Sequence, residues 1–150
     1  MSAAAGAGMG GPAGAGGAGG AGGGAREPFE YAVIRLVPRI ERGERINVGV
    51  LLYCQNLDFL AARTHLDPAR VRALDSDIDL DAIEVALRAW EATCAGGPAG
   101  GPAGKHLRLG ERFRWLTAPR STILQAGAVH TGLTADPGAE LDHLLDLVVR

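Results

Sequence analysis

The sequence predicts an α+β domain: a small, mostly antiparallel sheet of four to five strands with two to three helices, preceded by a disordered Gly/Ala-rich tail. Three observations predict this class. Short apolar stretches alternate as strands do. Asp residues that suit helix caps precede apolar residues at helical spacing. Short connections between the strands favour antiparallel pairing. A chain of 150 residues has room for one such domain.

Residues 1–27 are predicted to be a disordered tail, and residues 28–150 to be the single α+β domain. Gly occupies 12 of the first 24 positions, so the segment has almost no side chains to bury and a high entropic cost of ordering. Its matches to Gly-x-Gly-x-x-Gly do not indicate a dinucleotide loop, because no strand precedes them and no helix follows.

Three strands are predicted in the first half of the domain. Residues 29–37 alternate with both rows mostly apolar, and Pro38 ends the strand because it cannot donate to a ladder. Residues 45–53 are rich in Ile, Val and Leu, and residues 59–65 follow a turn-like stretch. The short links between these strands favour a meander.

Helices are predicted wherever Asp stands at a cap position. Asp67, followed by proline, starts a short helix, and Asp79 starts a longer one that ends near Cys94. The last helix starts at Asp136, again followed by proline. The apolar residues of the two longer helices recur at helical spacing: Leu80, Ile83, Leu87 and Trp90 in one, and Leu141, Leu144, Leu145 and Val148 in the other.

Between these helices the sequence predicts an insertion and two further strands. Residues 95–104 repeat Gly, Pro and Ala, and they are predicted to be a flexible insertion that does not pack. Residues 112–117 and 122–129 are predicted to be two further strands that flank Pro119.

Composition narrows the class of protein. No stretch reaches the roughly 18 apolar residues of a membrane span, so no membrane partner is expected. Cys54 and Cys94 are too few for a disulfide framework or a zinc site, which predicts reduced thiols and a cytoplasmic location. Arginine greatly outnumbers lysine, as is typical of a GC-rich bacterial source. The net charge of −2 argues against nucleic acid as a partner, although residues 105–120 are basic.

Two polar segments, residues 41–50 and 118–132, carry side chains that strands rarely need for packing. Asn47 suits either the anchoring of a loop or the binding of a ligand. Arg120 offers a planar fork for a carboxylate or phosphate, or a partner for Glu44. With Arg35 on the preceding strand, the candidate binding or interface residues are Arg35, Arg42, Glu44, Asn47, Arg120, Ser121, Gln125 and His130.

No catalytic or metal-binding pattern accompanies these residues. Ser121 and His130 lack the Gly-x-Ser-x-Gly elbow of a hydrolase triad. The alternating acids from Asp75 depart from a calcium loop, because Leu80 and Ala86 replace the required Gly and Glu. No cofactor, metal site or catalytic residue is therefore assigned. The histidines are scattered, at His65, His106, His130 and His143.

Three motifs together resemble a bacterial family catalogued as domain of unknown function 3037, over about residues 29–150. They are Tyr31-Ala-Val-Ile-Arg-Leu-Val-Pro38, Arg42-Gly-Glu-Arg-Ile-Asn-Val-Gly-Val50 and Phe113-Arg-Trp-Leu-Thr-Ala-Pro-Arg-Ser-Thr122, the last followed by Gln125 and His130-Thr-Gly132. The family has no established activity. The resemblance implies an accessory or antitoxin-like partner of a HipA-type kinase.

The leading hypothesis is a non-catalytic protein-interaction or accessory subunit, whose polar surface lies near Trp115. The alternative is an enzyme or ligand-binding domain for a phosphorylated or carboxylated small molecule. There Arg42 and Arg120 would clamp the anion, and His130 would act as acid or base. A third hypothesis is nucleic-acid binding through residues 105–120.

Overall fold

A computed structural model describes residues 24–150. The predicted disorder of residues 1–23 lies outside the described residues. The first strand already begins at Glu27, within the range that the sequence assigns to the tail.

Five strands and five α-helices make up the described chain, so the α+β class is confirmed, with more helices than the two or three predicted. In chain order they are β1 (Glu27–Leu36), β2 (Ile46–Cys54), β3 (Phe59–Thr64), α1 (Pro68–Leu74), α2 (Leu80–Ala95), α3 (Gly101–His106), α4 (Leu109–Thr117), β4 (Leu124–Ala126), β5 (His130–Thr134) and α5 (Pro137–Val148).

The sheet is antiparallel throughout, in the order β3-β2-β1-β4, with β5 also paired to β1. β4 pairs with the C-terminal end of β1 and β5 with its N-terminal end, along the edge that β2 does not occupy. Of the strand predicted at 122–129, only Leu124–Ala126 forms a strand, β4, and β5 follows after a break at residues 127–129 as a strand that was not predicted. This break positions the second polar segment.

Helices cover both faces of the sheet. On one face, α2 and α4 pack through Leu87 and Phe113 onto a cluster that includes Ile34 of β1. On the other face, α5 packs through Leu141 onto Leu52 of β2 and its neighbours. Burying a large apolar side chain contributes about 1.5–3 kcal/mol, so these two clusters hold the three layers together.

The helix starts predicted from aspartates are confirmed. The side chains of Asp67, Asp79 and Asp136 accept hydrogen bonds from backbone N–H groups in the first turns of α1, α2 and α5. Pro68 and Pro137 occupy the first helical positions, where a proline sacrifices no intrahelical hydrogen bond.

The strand predicted at 112–117 is wrong, because this segment belongs to helix α4. The Glu111 carboxylate accepts a hydrogen bond of 2.9 Å from the backbone N–H of Arg108 and so caps the helix. Phe113 and Leu116 are buried in the first cluster. Phe, Trp and Thr favour strands individually, but this segment is helical because its apolar residues are buried at helical spacing.

The Gly/Pro-rich insertion also differs from the expectation of a segment that does not pack. Pro98–Gly100 form a single 3₁₀ turn and α3 follows directly. Ala103 is buried, and a Cβ on Gly100 would lie only 2.8 Å from the Ala92 carbonyl oxygen of α2. Small residues are therefore needed here so that the backbone can approach α2 closely.

Candidate functional site

The structure distributes the predicted site residues over four places. Arg35 lies between Asn47 of β2 and Gln125 of β4 in the sheet register. Arg42 lies in the connection between β1 and β2, and Arg120 lies between α4 and β4. The remaining candidates accompany these: Glu44 beside Arg42, Ser121 next to Arg120, and His130 at the start of β5.

Arg42 and Glu44 form an exposed bidentate ion pair. Arg42 Nε and Nη2 donate to the Glu44 carboxylate at 2.8 Å and 3.2 Å. These hydrogen bonds and the charge of Arg42 lower the pKa of Glu44 below its ordinary value. Glu44 therefore pairs within its own turn and not with Arg120, and the guanidinium of Arg42 is already occupied.

Asn47 anchors the C-terminal end of α5. Its Nδ2 donates to the Val148 carbonyl oxygen at 3.0 Å, and Arg70 Nη1 donates to the next carbonyl, that of Val149, at 3.1 Å. The last carbonyls of a helix have no intrahelical donors, so both contacts satisfy groups that packing would otherwise leave unpaired. The structural role of Asn47 is to hold a helix end and not a loop.

Gln125 and His130 are held by local contacts. Gln125 Nε2 donates to the Thr122 carbonyl oxygen at 2.7 Å. The exposed His130 ring lies 5.2 Å from the ring of Tyr31, its register partner on β1. Ser121 is exposed in the segment between α4 and β4. None of these contacts aligns a nucleophile with a base.

Arg120 lies beside two tryptophan rings. Its Cζ is 5.0 Å from the ring centre of Trp115 and 5.6 Å from that of Trp90, and Nη2 donates to the Trp115 carbonyl oxygen. Trp90 is buried, whereas 49% of Trp115 is exposed. Each cation–π contact is worth about 0.5–2 kcal/mol, so the guanidinium is fixed beside an exposed aromatic surface.

An open groove of about 540 Å³ adjoins this stack and is here called the Trp groove. Two of its isoleucines are strongly exposed, Ile40 at 48% and Ile123 at 42%. The groove lies between α2, Ile40 of the connection between β1 and β2, and the second polar segment. Its lining is mostly apolar: Ile40, Ala82, Ile83, Ala86, Trp90, Arg120, Thr122, Ile123 and Leu124.

The basic segment 105–120 lines part of a second, wider depression of about 1150 Å³. Most of its arginines are already occupied. Arg114 pairs with Glu30 at 2.7 Å, Arg108 pairs with Glu111 at 3.6 Å, and Arg112 donates to two carbonyl oxygens. A phosphate backbone would have to displace these partners, so the depression offers little support for nucleic-acid binding.

Residues 24–150 do not assemble a site for metal binding or thiol chemistry. Three or more His, Cys, Asp or Glu residues do not come together there at metal-binding distance. Cys54 and Cys94 are both buried free thiols in separate clusters on opposite faces of the sheet. Burial raises the pKa of Cys94 to about 12, so this thiol is protonated and unreactive at neutral pH.

Sequence reasoning missed the apolar members of the Trp groove. The helical spacing identifies Trp90 only as a core residue, and no motif includes Ile40 or Ile123 among the candidate site residues. One available signal was their position: each isoleucine stands in a polar connection a few residues after a proline, Pro38 or Pro119.

The model of one protein family matches residues 31–149, and its description reads Protein of unknown function (DUF3037). Comparison with curated proteins found no match, and comparison with solved structures found none either. Within residues 24–150, every helix is too short or too polar to cross a membrane.

Proposed function

Since the chain belongs to this family of proteins of unknown function (DUF3037), we propose its role from its own geometry: a non-catalytic interaction subunit that holds an apolar segment of a partner protein in the Trp groove. The observation that carries the proposal is the exposed apolar lining beside the Arg120 stack.

The composition of the groove supports a protein partner. Trp and Arg dominate the energetics of protein interfaces, and they act best when apolar neighbours exclude water around them. In the lining, Trp90 and Arg120 provide this pair, while Ile40 and Ile123 provide the apolar neighbours. Exposed isoleucines cost free energy in water, and a partner's apolar side chains would recover it.

The groove is also preorganised. Trp90 is buried in the core and the Trp115 carbonyl accepts from Arg120, so the Arg120 side chain is already ordered before a partner arrives. Immobilising a long side chain at an interface costs about 0.5–1.5 kcal/mol of binding free energy. Because Arg120 is already ordered in the free protein, binding does not incur this cost for its side chain.

The same geometry speaks against the enzyme hypothesis. Arg42 is paired with Glu44, and Arg120 packs beside α2 on one face of the sheet. On the strand register, His130 lies opposite Tyr31, four residues from Arg35. The hypothesis needs His130 beside Arg42 and Arg120, but Arg42 lies in the connection that follows the far end of β1 at Leu36.

Site-specific photo-cross-linking in the native host tests this proposal. A photoreactive amino acid at position 123 should capture one partner protein, because Ile123 lines the groove. The matched control places it at Leu147 on α5, which is 67% exposed but lies on the opposite side of the sheet. A HipA-type kinase, the partner implied by the sequence resemblance, is the first protein to look for among the products.

Binding is then measured between the purified partner and the full chain. We expect Ile123→Asp and Arg120→Ala, two changes in the groove lining, each to weaken the complex by about tenfold to thirtyfold, since truncation at an interface centre costs about 1.4–2 kcal/mol. Leu147→Asp should leave the affinity unchanged. Equal capture at both positions, or capture of only a second copy of this chain, would contradict the proposal of a foreign partner.

A further inference from the structure

Arg35 is an unusual arginine on the α5 face of the sheet. Its Nε is buried and has no hydrogen-bond partner. The Nε of Arg112 is also buried without a partner, but both Nη atoms of Arg112 donate to carbonyl oxygens. Arg35 makes no such hydrogen bond among residues 24–150. Leaving a buried charged donor unpaired is costly, so Arg35 calls for an acceptor that the described chain does not supply.

The chain offers Arg35 no counter-charge. All Asp and Glu residues lie at position 27 or beyond, and none forms an ion pair with Arg35 or with its neighbour Arg45. Burial and, after it, the positive charge of Arg45 lower the pKa of Arg35. Two arginines thus repel one another on the surface of a protein whose net charge is negative.

The break between β4 and β5 makes a seat for this guanidinium. A Cβ built on Gly127 would lie 2.8 Å from Arg35 Cζ and 3.0 Å from its Nη2, so the guanidinium rests against the bare Gly127 backbone. Asn47 and Gln125 flank it in the register, while the following residues of the break, Ala128 and Val129, are exposed. A ligand therefore has access from the β4 side.

We propose that Arg35 and Arg45 bind a small molecule through a carboxylate or phosphate group at this seat. An oxyanion supplies the missing acceptor for the guanidinium fork of Arg35 and neutralises its repulsion with Arg45. The site is separate from the Trp groove, because Leu124 enters the cluster under α2 and α4 whereas Gln125, the next residue, sits beside Arg35.

The alternative is an arginine that only covers apolar surface with its stem while its head meets water. The two readings are separated by titrating the full chain with inorganic phosphate and with malonate, at constant ionic strength set with chloride. Signals of Arg35 Nε–H and the Gly127 amide are followed by NMR. We expect saturable shifts at these groups, and the tighter of the two probes identifies the oxyanion class.

Three variants test whether the probe binds at Arg35. Arg35→Gln should weaken the tighter probe at least about tenfold, because it removes a charge-assisted bidentate contact. Arg35→Lys keeps the charge without the fork and should recover only part of the affinity. Arg72→Gln, which removes an exposed arginine of α1, is the matched control and should change nothing.

Two results would overturn this assignment. One is the absence of saturable shifts for both probes at tens of millimolar. The other is an affinity that Arg35→Gln and Arg72→Gln alter equally, which would indicate a diffuse charge effect. If Arg35→Gln does not fold, Gly127→Ala carries the test, because its methyl group must displace the guanidinium and lower the affinity. If Gly127→Ala folds and binds the probe as tightly as the original protein, the proposed binding site beside Gly127 is refuted.

Discussion

Replacing Arg112 with leucine tests how the insertion at 95–104 is held on the domain. Arg112 is buried in α4, where Nη1 donates to the Leu107 carbonyl at 2.7 Å and Nη2 to the Cys94 carbonyl at 3.2 Å. It thereby joins the last turn of α2 to the segment after α3. Its guanidinium also packs against Gly96, where a Cβ would lie 3.3 Å from Cζ.

The expected loss in free energy of unfolding follows from these contacts. A hydrogen bond from a charged donor contributes about 1.5–3 kcal/mol, and Arg112→Leu removes two of them while leaving both carbonyls without this donor. Part of the loss is offset, because the variant no longer buries a charge with an unpaired Nε. We expect the free energy of unfolding to fall by about 2–4 kcal/mol.

Urea denaturation followed by circular dichroism measures this change. Arg72→Leu is the control, since the same substitution at an exposed position should stay within about 0.5 kcal/mol of the original protein. Limited proteolysis should cut Arg112→Leu within 95–104 faster than the control. A free energy of unfolding for Arg112→Leu equal to that of Arg72→Leu would refute the anchoring role.

Three smaller predictions rest on single contacts. Asn47→Ala, which removes the donor to Val148, should lower the free energy of unfolding by about 1 kcal/mol in urea titration; an unchanged value would contradict the anchoring of α5. Because burial raises the pKa of Cys94 to about 12, it should resist iodoacetamide at pH 8 in the folded protein and react after denaturation, as read by mass spectrometry. The carboxyl of Glu44 should titrate by NMR below its ordinary pKa and return to it in Arg42→Gln; a shift that survives this substitution would need another cause.

The elements that sequence reasoning predicted correctly are those with strong local chemistry. Asp79 accepts from the Ala82 N–H and so begins α2 at the predicted residue. The alternation at 29–37 marks β1, which is central and covered on both faces. Here the cap, the period and the burial all point to one structure, which is why local patterns sufficed.

Helix α4 shows where local patterns misled. Phe113, Trp115 and Thr117 favour strands individually, and Pro119 resembles the end of a strand. The helical spacing of Leu109, Phe113 and Leu116 was present in the sequence but short, covering barely two turns. Such a helix is marginal in isolation and forms because its apolar face is buried against α2 and the sheet.

The candidate site was less predictable because its parts are distant in sequence. Trp90 and Arg120 are thirty residues apart and meet only in the folded chain, where Trp90 of α2 and Leu124 of β4 belong to one buried cluster. Likewise, nothing local shows that Arg35 rests on Gly127, because this contact depends on the break between two strands. The polar segments and β1 pointed to Arg35, Arg42 and Arg120 as candidates, but only the fold distinguishes their partners.

Those partners divide the arginines by role. Arg70 and Arg112 donate hydrogen bonds to carbonyl oxygens near helix ends, which is a structural role. Arg42 pairs with an acid on the surface, where an ion pair contributes little to stability. Arg35 and Arg120 have no carboxylate partner at all, although both are partly shielded from water. They lie on opposite faces of the sheet, so one thin domain presents two independent surfaces. Unlike Arg70 and Arg112, Arg35 makes no hydrogen bond among residues 24–150 and Arg120 lies beside an exposed tryptophan ring, which is why the two proposals rest on these two arginines.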